Sequence, residues 1–258
     1  MTPDVVIAAD PAETLAILED PAYRVPPAPA ATAPLARLRA LASRFVDGPV
    51  HADRRARQEA LLAGLDPATL AAAARRLAAE RLGAAGSSAS AVARHVPVAV
   101  LAGALGFAHP ADLPIVVARV AGAYRDGVAT PDADAAATEL LRASPGHDEP
   151  ERALRVQLLV QAYAATATLI ESLLRAGASD RATTRRLLLH DPPVASTRRV
   201  GPGGKGVAVP LAGPAARRTP TGTLAFGAGA HACPGQEHAV AIAVAVAGVL
   251  STTGGSVR

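Results

Sequence analysis

The chain has 258 residues, half of them hydrophobic, only 2% aromatic, with no tryptophan and a single cysteine. Its formal charge of +4 is spread along the sequence, with Lys205 the only lysine, so no basic run points to nucleic acid. One cysteine excludes an internal disulfide and suits a cytoplasmic protein. No basic-then-apolar N-terminal segment reads as a signal peptide, and the longest unbroken apolar run, Ala239 to Leu250, is too short to span a bilayer.

In chain order, Val5 to Ala8 reads as a short strand, and Asp10-Pro11 opens a helix through Leu18. Val25 to Pro34 is a Pro- and Ala-rich connector. Leu35 to Phe45 reads as a helix closed by Asp47-Gly48-Pro49. The next helix, 50–65, carries His51 and Arg55 four apart on one face, with Arg54 and Arg57 on other sides. Such a spacing alone describes any solvated basic helix end. Asp66-Pro67 starts a helix to Leu82, and Gly83 to Ala91 is a hinge or loop. Val92 to Gly106 and Leu113 to Tyr124 are apolar helical segments; Asp126 to Glu149 is turn-rich, with a short helix from Asp132 to Leu141.

The longest helix is predicted from Pro150 to Ala176, about 40 Å at 1.5 Å per residue. Asp180 to His190 is the next, followed by Asp191-Pro192-Pro193-Val194. The glycine run Gly201 to Gly206 lacks the Ser/Thr and spacing of a phosphate loop, so it reads as a turn. Thr223 to Phe226 reads as a short strand, then a glycine-punctuated loop, then an apolar helix from Ala239 to Leu250. Pro234 suits a first helical position, which sets Cys233 at the helix N-terminus, where backbone N–H groups and the dipole favour a thiolate. The glycines keep bulk off the sulfur and let something flat approach.

A lone cysteine is often just a small buried hydrophobe. Gly227, Gly229 and Ala232 also fit a degenerate dinucleotide fingerprint, but no strand and no acid follow the last helix, so that reading fails. What remains is Phe226-Gly227-x-Gly229-x-His231-x-Cys233-x-Gly235, a pattern expected by chance on the order of 10⁻⁷ with this composition. It resembles the cysteine-ligand loop of the cytochrome P-450 family. The resemblance runs from near residue 5 to 250, with deletions between Arg199 and Phe226.

That resemblance implies a mainly α, shortened P-450-like fold with a small β component, one haem domain over residues 1–258, and haem b bound to iron through the Cys233 thiolate. It implies that His51 and Arg55, on the proximal helix 50–65, hold the haem propionates together with Arg199 and His231, and that the central helix 150–176 crosses the distal face. Phe226, Gly227, Gly229 and Gly235 complete the cofactor-binding loop of the segment 223–250. The implied activity is that of an oxidoreductase, a monooxygenase acting on a small apolar molecule in bacterial secondary metabolism, with a ferredoxin-type electron donor. Arg54 and Arg57 would contribute to an acidic partner's docking surface. No nucleic acid or membrane partner is implied.

Two departures matter. The acid and threonine of the family's oxygen-activating pair fall on Ala164 and Ala165, and alanine cannot relay a proton. Thr166 comes one residue late, turned about 100° round the helix, with Tyr163 or Gln161 as substitutes. The Glu-x-x-Arg ion pair of the next helix falls on Arg186 and Leu189 and cannot form. Two alternatives follow: a peroxide-dependent or non-oxidative haem enzyme, and an auxiliary protein of P-450-like fold that stabilises a partner enzyme.

Overall fold

The structure, a computed structural model, describes residues 6–8, 10–29, 32–84, 86–177, 179–216 and 222–253. Val5, Ala30, Ala31 and Ala85 lie outside them, within the expected first strand, connector and hinge.

The helices start where local chemistry tells them to. Asp10 caps α1 (Pro11–Glu19), Asp66 caps α4 (Pro67–Leu82) and Ser88 caps α5 (Ala89–Ala104), each accepting from backbone N–H groups of the first turn. Thr130, Asp148 and Asp180 do the same for α7 (Pro131–Ala143), α8 (Glu149–Arg175) and α9 (Arg181–His190). Between them lie α2 (Pro34–Leu41), α3 (Gly48–Ala63) and α6 (Leu113–Asp126), which ends on left-handed Gly127. The last helix is α10 (Gln236–Thr253).

A three-stranded sheet completes the described fold. β1 (Val6–Ile7) runs parallel to β3 (Gly206–Pro210), and β2 (Ser196–Val200) pairs antiparallel with β3, Arg199 opposite Val207. The β2–β3 turn is the glycine run: the Gly201 N–H donates to Lys205 O at 2.8 Å, and Gly203 and Gly204 take positive φ.

Two apolar clusters fill the helical body. One joins α2, α5, α6, α7 and the first half of α8, through Leu38, Leu101, Val117, Leu140 and Leu159. The other joins α4, α5, α9, α10 and the second half of α8, through Ala74, Val96, Ile170, Leu173 and Val246. Each fully buried Leu or Ile contributes about 1.5–3 kcal/mol. α5 and α8 belong to both clusters, so they form the shared wall from which the site is built. By length and composition alone α8 and the stretch ending in α10 would suffice to cross a membrane; here the apolar residues of α8 are mostly interior ones.

Three local expectations are corrected. The helix foreseen from Leu35 to Phe45 breaks at Ala42, which is extended at φ −72°, ψ 150°, before a single tight turn over Ser43–Phe45. The cause comes from α3: Arg54 Nη1 donates to Ala40 O at 2.7 Å and Ala42 O at 2.9 Å, satisfying carbonyls that a continuing helix would use. Arg54, half-buried, thus acts as a structural clamp. The strand foreseen at Thr223–Phe226 does not form, because the Thr223 hydroxyl accepts from Ala225 N–H at 3.0 Å and Gly227 N–H closes a turn onto Leu224 O at 2.7 Å. Finally, α10 begins at Gln236, so Pro234 lies in the turn before it rather than at its first position.

Candidate functional site

A cavity of about 760 Å³ opens between α3, α5, α8, β2 and the cysteine loop. Pro97 and Leu101 from α5, with Leu158, Ala162 and Leu169 from α8, give it an apolar wall. Pro97 stands inside its helix, where it has no N–H to offer the ladder.

Cys233 lines the cavity. Its loop is held by its own backbone: the Cys233 N–H donates to Phe226 O at 2.8 Å and the Ala232 N–H to Gly229 O at 3.1 Å. A second support comes from α3, where Arg55 Nη2 donates to Ala232 O while its Nε pairs with Glu59 at 2.7 Å. Cys233 is an exposed residue, yet the sulfur lies among loop atoms dense enough that burial pushes its thiol above the usual range. The Gly235 N–H, bonded to the sulfur, and the Arg55 charge pull the other way and lose. The preference for a thiolate expected from the helix start is thus outweighed by burial in the protein alone.

Beside the loop stand the four groups singled out by sequence. His51 is buried, its ring 3.9 Å from that of His231 and tilted by 39°. Burial and the Arg55 charge lower its pKa. Arg199 is 5% exposed, with Nη1 donating to Thr197 Oγ1 at 3.3 Å and Arg198 O at 3.0 Å. His231 is lowered to about 4, chiefly by burial and then by His51, so at neutral pH it is an uncharged ring whose Nε2–H donates to Asp47 Oδ1 at 3.0 Å.

Sequence reasoning missed Asp47, which it took only for a helix-closing turn. Its other oxygen accepts from Val25 N–H at 3.1 Å, tying the N-terminal connector to the loop. No local signal marks it. His238, one turn into α10, was missed too: it lines the cavity, its Nε2 lies 2.9 Å from Leu65 O, and its buried Nδ1 has no partner.

On α8 the cavity face carries Gln161, Ala165 and Thr166. Thr166, though one position late, is buried and lines the cavity. Tyr163 does not line it; the side chain packs instead against the first apolar cluster, which removes it as a catalytic candidate. Ala164 is exposed and also absent from the lining. On α9, Arg186 is exposed, and the tie that an ion pair would have made is made instead by the Thr223 hydroxyl, donating to Leu188 O at 2.8 Å.

No family model and no curated protein sequence matches this chain. Solved structures do. P450BioI, solved with an acyl carrier protein ligated to hexadec-9Z-enoic acid, aligns over 95% of this chain and 83% of its own at TM-score 0.72 and 17% identity. CalO2 aligns over 96% and 82% at TM-score 0.73 and 19% identity. CxnD, a cytochrome P450 for C–S bond formation in chuangxinmycin biosynthesis, aligns over 95% and 80% at TM-score 0.67 and 16% identity. The fold is that of cytochrome P450.

The P450 fold implies a haem, and the residues present fit one. Among the described residues no three His, Cys, Asp or Glu side chains converge as metal ligands, so an iron at Cys233 needs a macrocycle for its remaining ligands. The cavity has room for a planar group beside the sulfur. Among the described residues the hydrogen-bond partners of buried Arg199 are neutral, with Asp47 acting on it through its charge, and a guanidinium so placed suits a further carboxylate. His231 is also engaged by Asp47, as Arg55 is by Glu59 and the Ala232 carbonyl. Gly229 is in addition required by packing: a Cβ there would fall 2.5 Å from Leu18 O in α1.

Proposed function

We propose that the chain is a haem-thiolate oxidoreductase, a monooxygenase acting on a small apolar molecule of bacterial secondary metabolism, in which the Cys233 thiolate would hold the iron of haem b. One observation carries the reading: the sole cysteine faces a cavity in a P450 fold, with His51, Arg55, Arg199 and His231 gathered at its side. When bound, the haem supplies oxygen activation, which the electron-rich thiolate promotes by favouring O–O cleavage.

The protein's own share is positional. Arg55 fixes the Ala232 carbonyl next to the ligand. The Gly235 N–H and Arg55 help hold negative charge on the sulfur once a cation faces it. Arg199 and Arg55 receive the propionates, with His51 against them. The apolar wall of α5 and α8 excludes water and takes the substrate body. α8 offers Gln157, Gln161 and Thr166 to the cavity; Gln157 is already bonded to Ser43, so Gln161 and Thr166 are the candidates to move a proton there. A ferredoxin-type donor remains the proposed electron source, with Arg57 still at the surface, paired with Asp53 at 3.1 Å.

A second reading rests on that same face. α8 presents no acid to the cavity, and Ala165 stands where the P450 pattern has its threonine. This favours direct use of hydrogen peroxide, or non-oxidative chemistry such as dehydration. Turnover that needs O₂ plus reductant rejects this reading; turnover with peroxide or with no oxidant supports it.

The absorption spectrum of the reduced protein under CO tests the main proposal. A thiolate-type Soret band, lost in Cys233→Ala, is expected. A protein that takes up no haem, or whose spectrum ignores that substitution, overturns it.

A further inference from the structure

The cavity is chemically two-sided, and the reading of it as the haem and substrate site accounts for only part of its charge. Among the described residues its lining holds six arginines, Arg39, Arg44, Arg55, Arg125, Arg198 and Arg199, against one acid, Asp126. Arg125 already takes both oxygens of Asp126, at 2.8 and 3.0 Å. Arg55 and Arg199 are assigned to the two propionates. Three positive charges are left over, and they are not scattered. Arg39 and Arg44 both stand over the Phe45 ring, their guanidinium carbons 4.4 and 5.8 Å from its centre. Arg198 and Arg39 both act on the Asp126 carboxyl.

Arg39 is the informative member. It is 9% exposed, its Nε is buried without a hydrogen-bond partner, and burial lowers its pKa. The Tyr124 hydroxyl, buried edge-on to the same ring at a 5.3 Å centroid distance, also lacks an acceptor. Two buried donors without an acceptor among the described residues are a standing cost, and the one that belongs to a guanidinium is the larger. A carboxylate or phosphate answers a guanidinium fork with two parallel hydrogen bonds. The apolar wall beside it accepts hydrocarbon.

We propose that the cavity takes an amphipathic anion, an apolar body ending in one oxyanion (carboxylate or phosphate monoester), anchored by Arg39 and drawn in by Arg44 and Arg198. This names the substrate class of the site and rests on the function proposed above only for which arginines the cofactor occupies.

Titration calorimetry of the apo and haem-loaded chain with decanoate, decyl phosphate and methyl decanoate tests it. At least one anion is expected to bind about tenfold or more tightly than the neutral ester, as charge-assisted hydrogen bonds allow, with the gap narrowing as salt rises. Which anion wins distinguishes the two oxyanion sources. Arg39→Met is expected to erase the gap while leaving ester binding unchanged. Arg44→Gln, at an exposed position, is expected to narrow it several-fold even if the Arg39 variant fails to fold. Anions binding no more tightly than the ester overturn the proposal, as does a gap that survives both substitutions. The CO spectrum judges the haem separately: selective anion binding by a chain that loads no haem sinks the haem reading and leaves this one standing.

Discussion

Gly227 and Gly229 both hold positive φ, +74° and +65°, but for different reasons. A Cβ on Gly227 would meet nothing closer than Ala232 Cα at 3.7 Å, an ordinary contact. A Cβ on Gly229 would sit 2.5 Å from Leu18 O and 3.1 Å from Glu19 Cα, both backbone, so α1 would have to move. Gly227→Ala should therefore cost only the left-handed strain, about 1 kcal/mol. Gly229→Ala should cost about 3 kcal/mol or more once the displaced helix is added. Urea midpoints of the two apo variants check this, and equal losses would contradict it. The comparison also separates packing from ligand approach: of these two glycines, the one whose absence of side chain matters most serves α1.

At the scale of elements, α9 is tied by a hydrogen bond at the helix whose sequence rules out the ion pair of the P450 pattern. Thr223→Val removes the hydroxyl that donates to Leu188 O and accepts from Ala225 N–H, which should cost about 1–2 kcal/mol and loosen α9. Faster hydrogen exchange of the last-turn amides of α9 is the expected readout; unchanged exchange there would show that the apolar contact of Leu188 suffices. Helices such as α4 and α8 were legible in the sequence because caps, first-turn prolines and periodicity are local signals, all agreeing. The break at Ala42 was not, because its cause is the Arg54 side chain reaching back from α3. The cysteine loop was legible through spacing alone, and with it the cluster of His51, Arg55, Arg199 and His231. Asp47, Arg39 and His238 were not, since each acquires its role from a partner distant in sequence, and Tyr163 was misplaced because its helix face is settled only by what α8 packs against.

For the molecule as a whole, a group that occupies the cavity of about 760 Å³ and binds the native state alone must raise stability. Occupancy at 100 times the dissociation constant would add about 2.7 kcal/mol. The sign of its pH dependence follows from Cys233. Burial raises the thiol in the folded apo chain; below the ordinary thiol pKa, folded and unfolded chains are both protonated and that contribution is fully present. It is lost as pH rises through the raised value, so apo stability should decline on going from neutral to alkaline solution. Haem ligation requires the thiolate and releases its proton, so the stabilisation gained on adding haem should grow over that same interval. Thermal melts of the apo and haem-loaded chain across it are expected to diverge as pH rises. In Cys233→Ser both slopes should flatten, because the hydroxyl does not titrate there. A haem-induced shift in Tm independent of pH, or one that survives Cys233→Ser undiminished, would mean that haem is held by the arginines and the apolar walls without the sulfur.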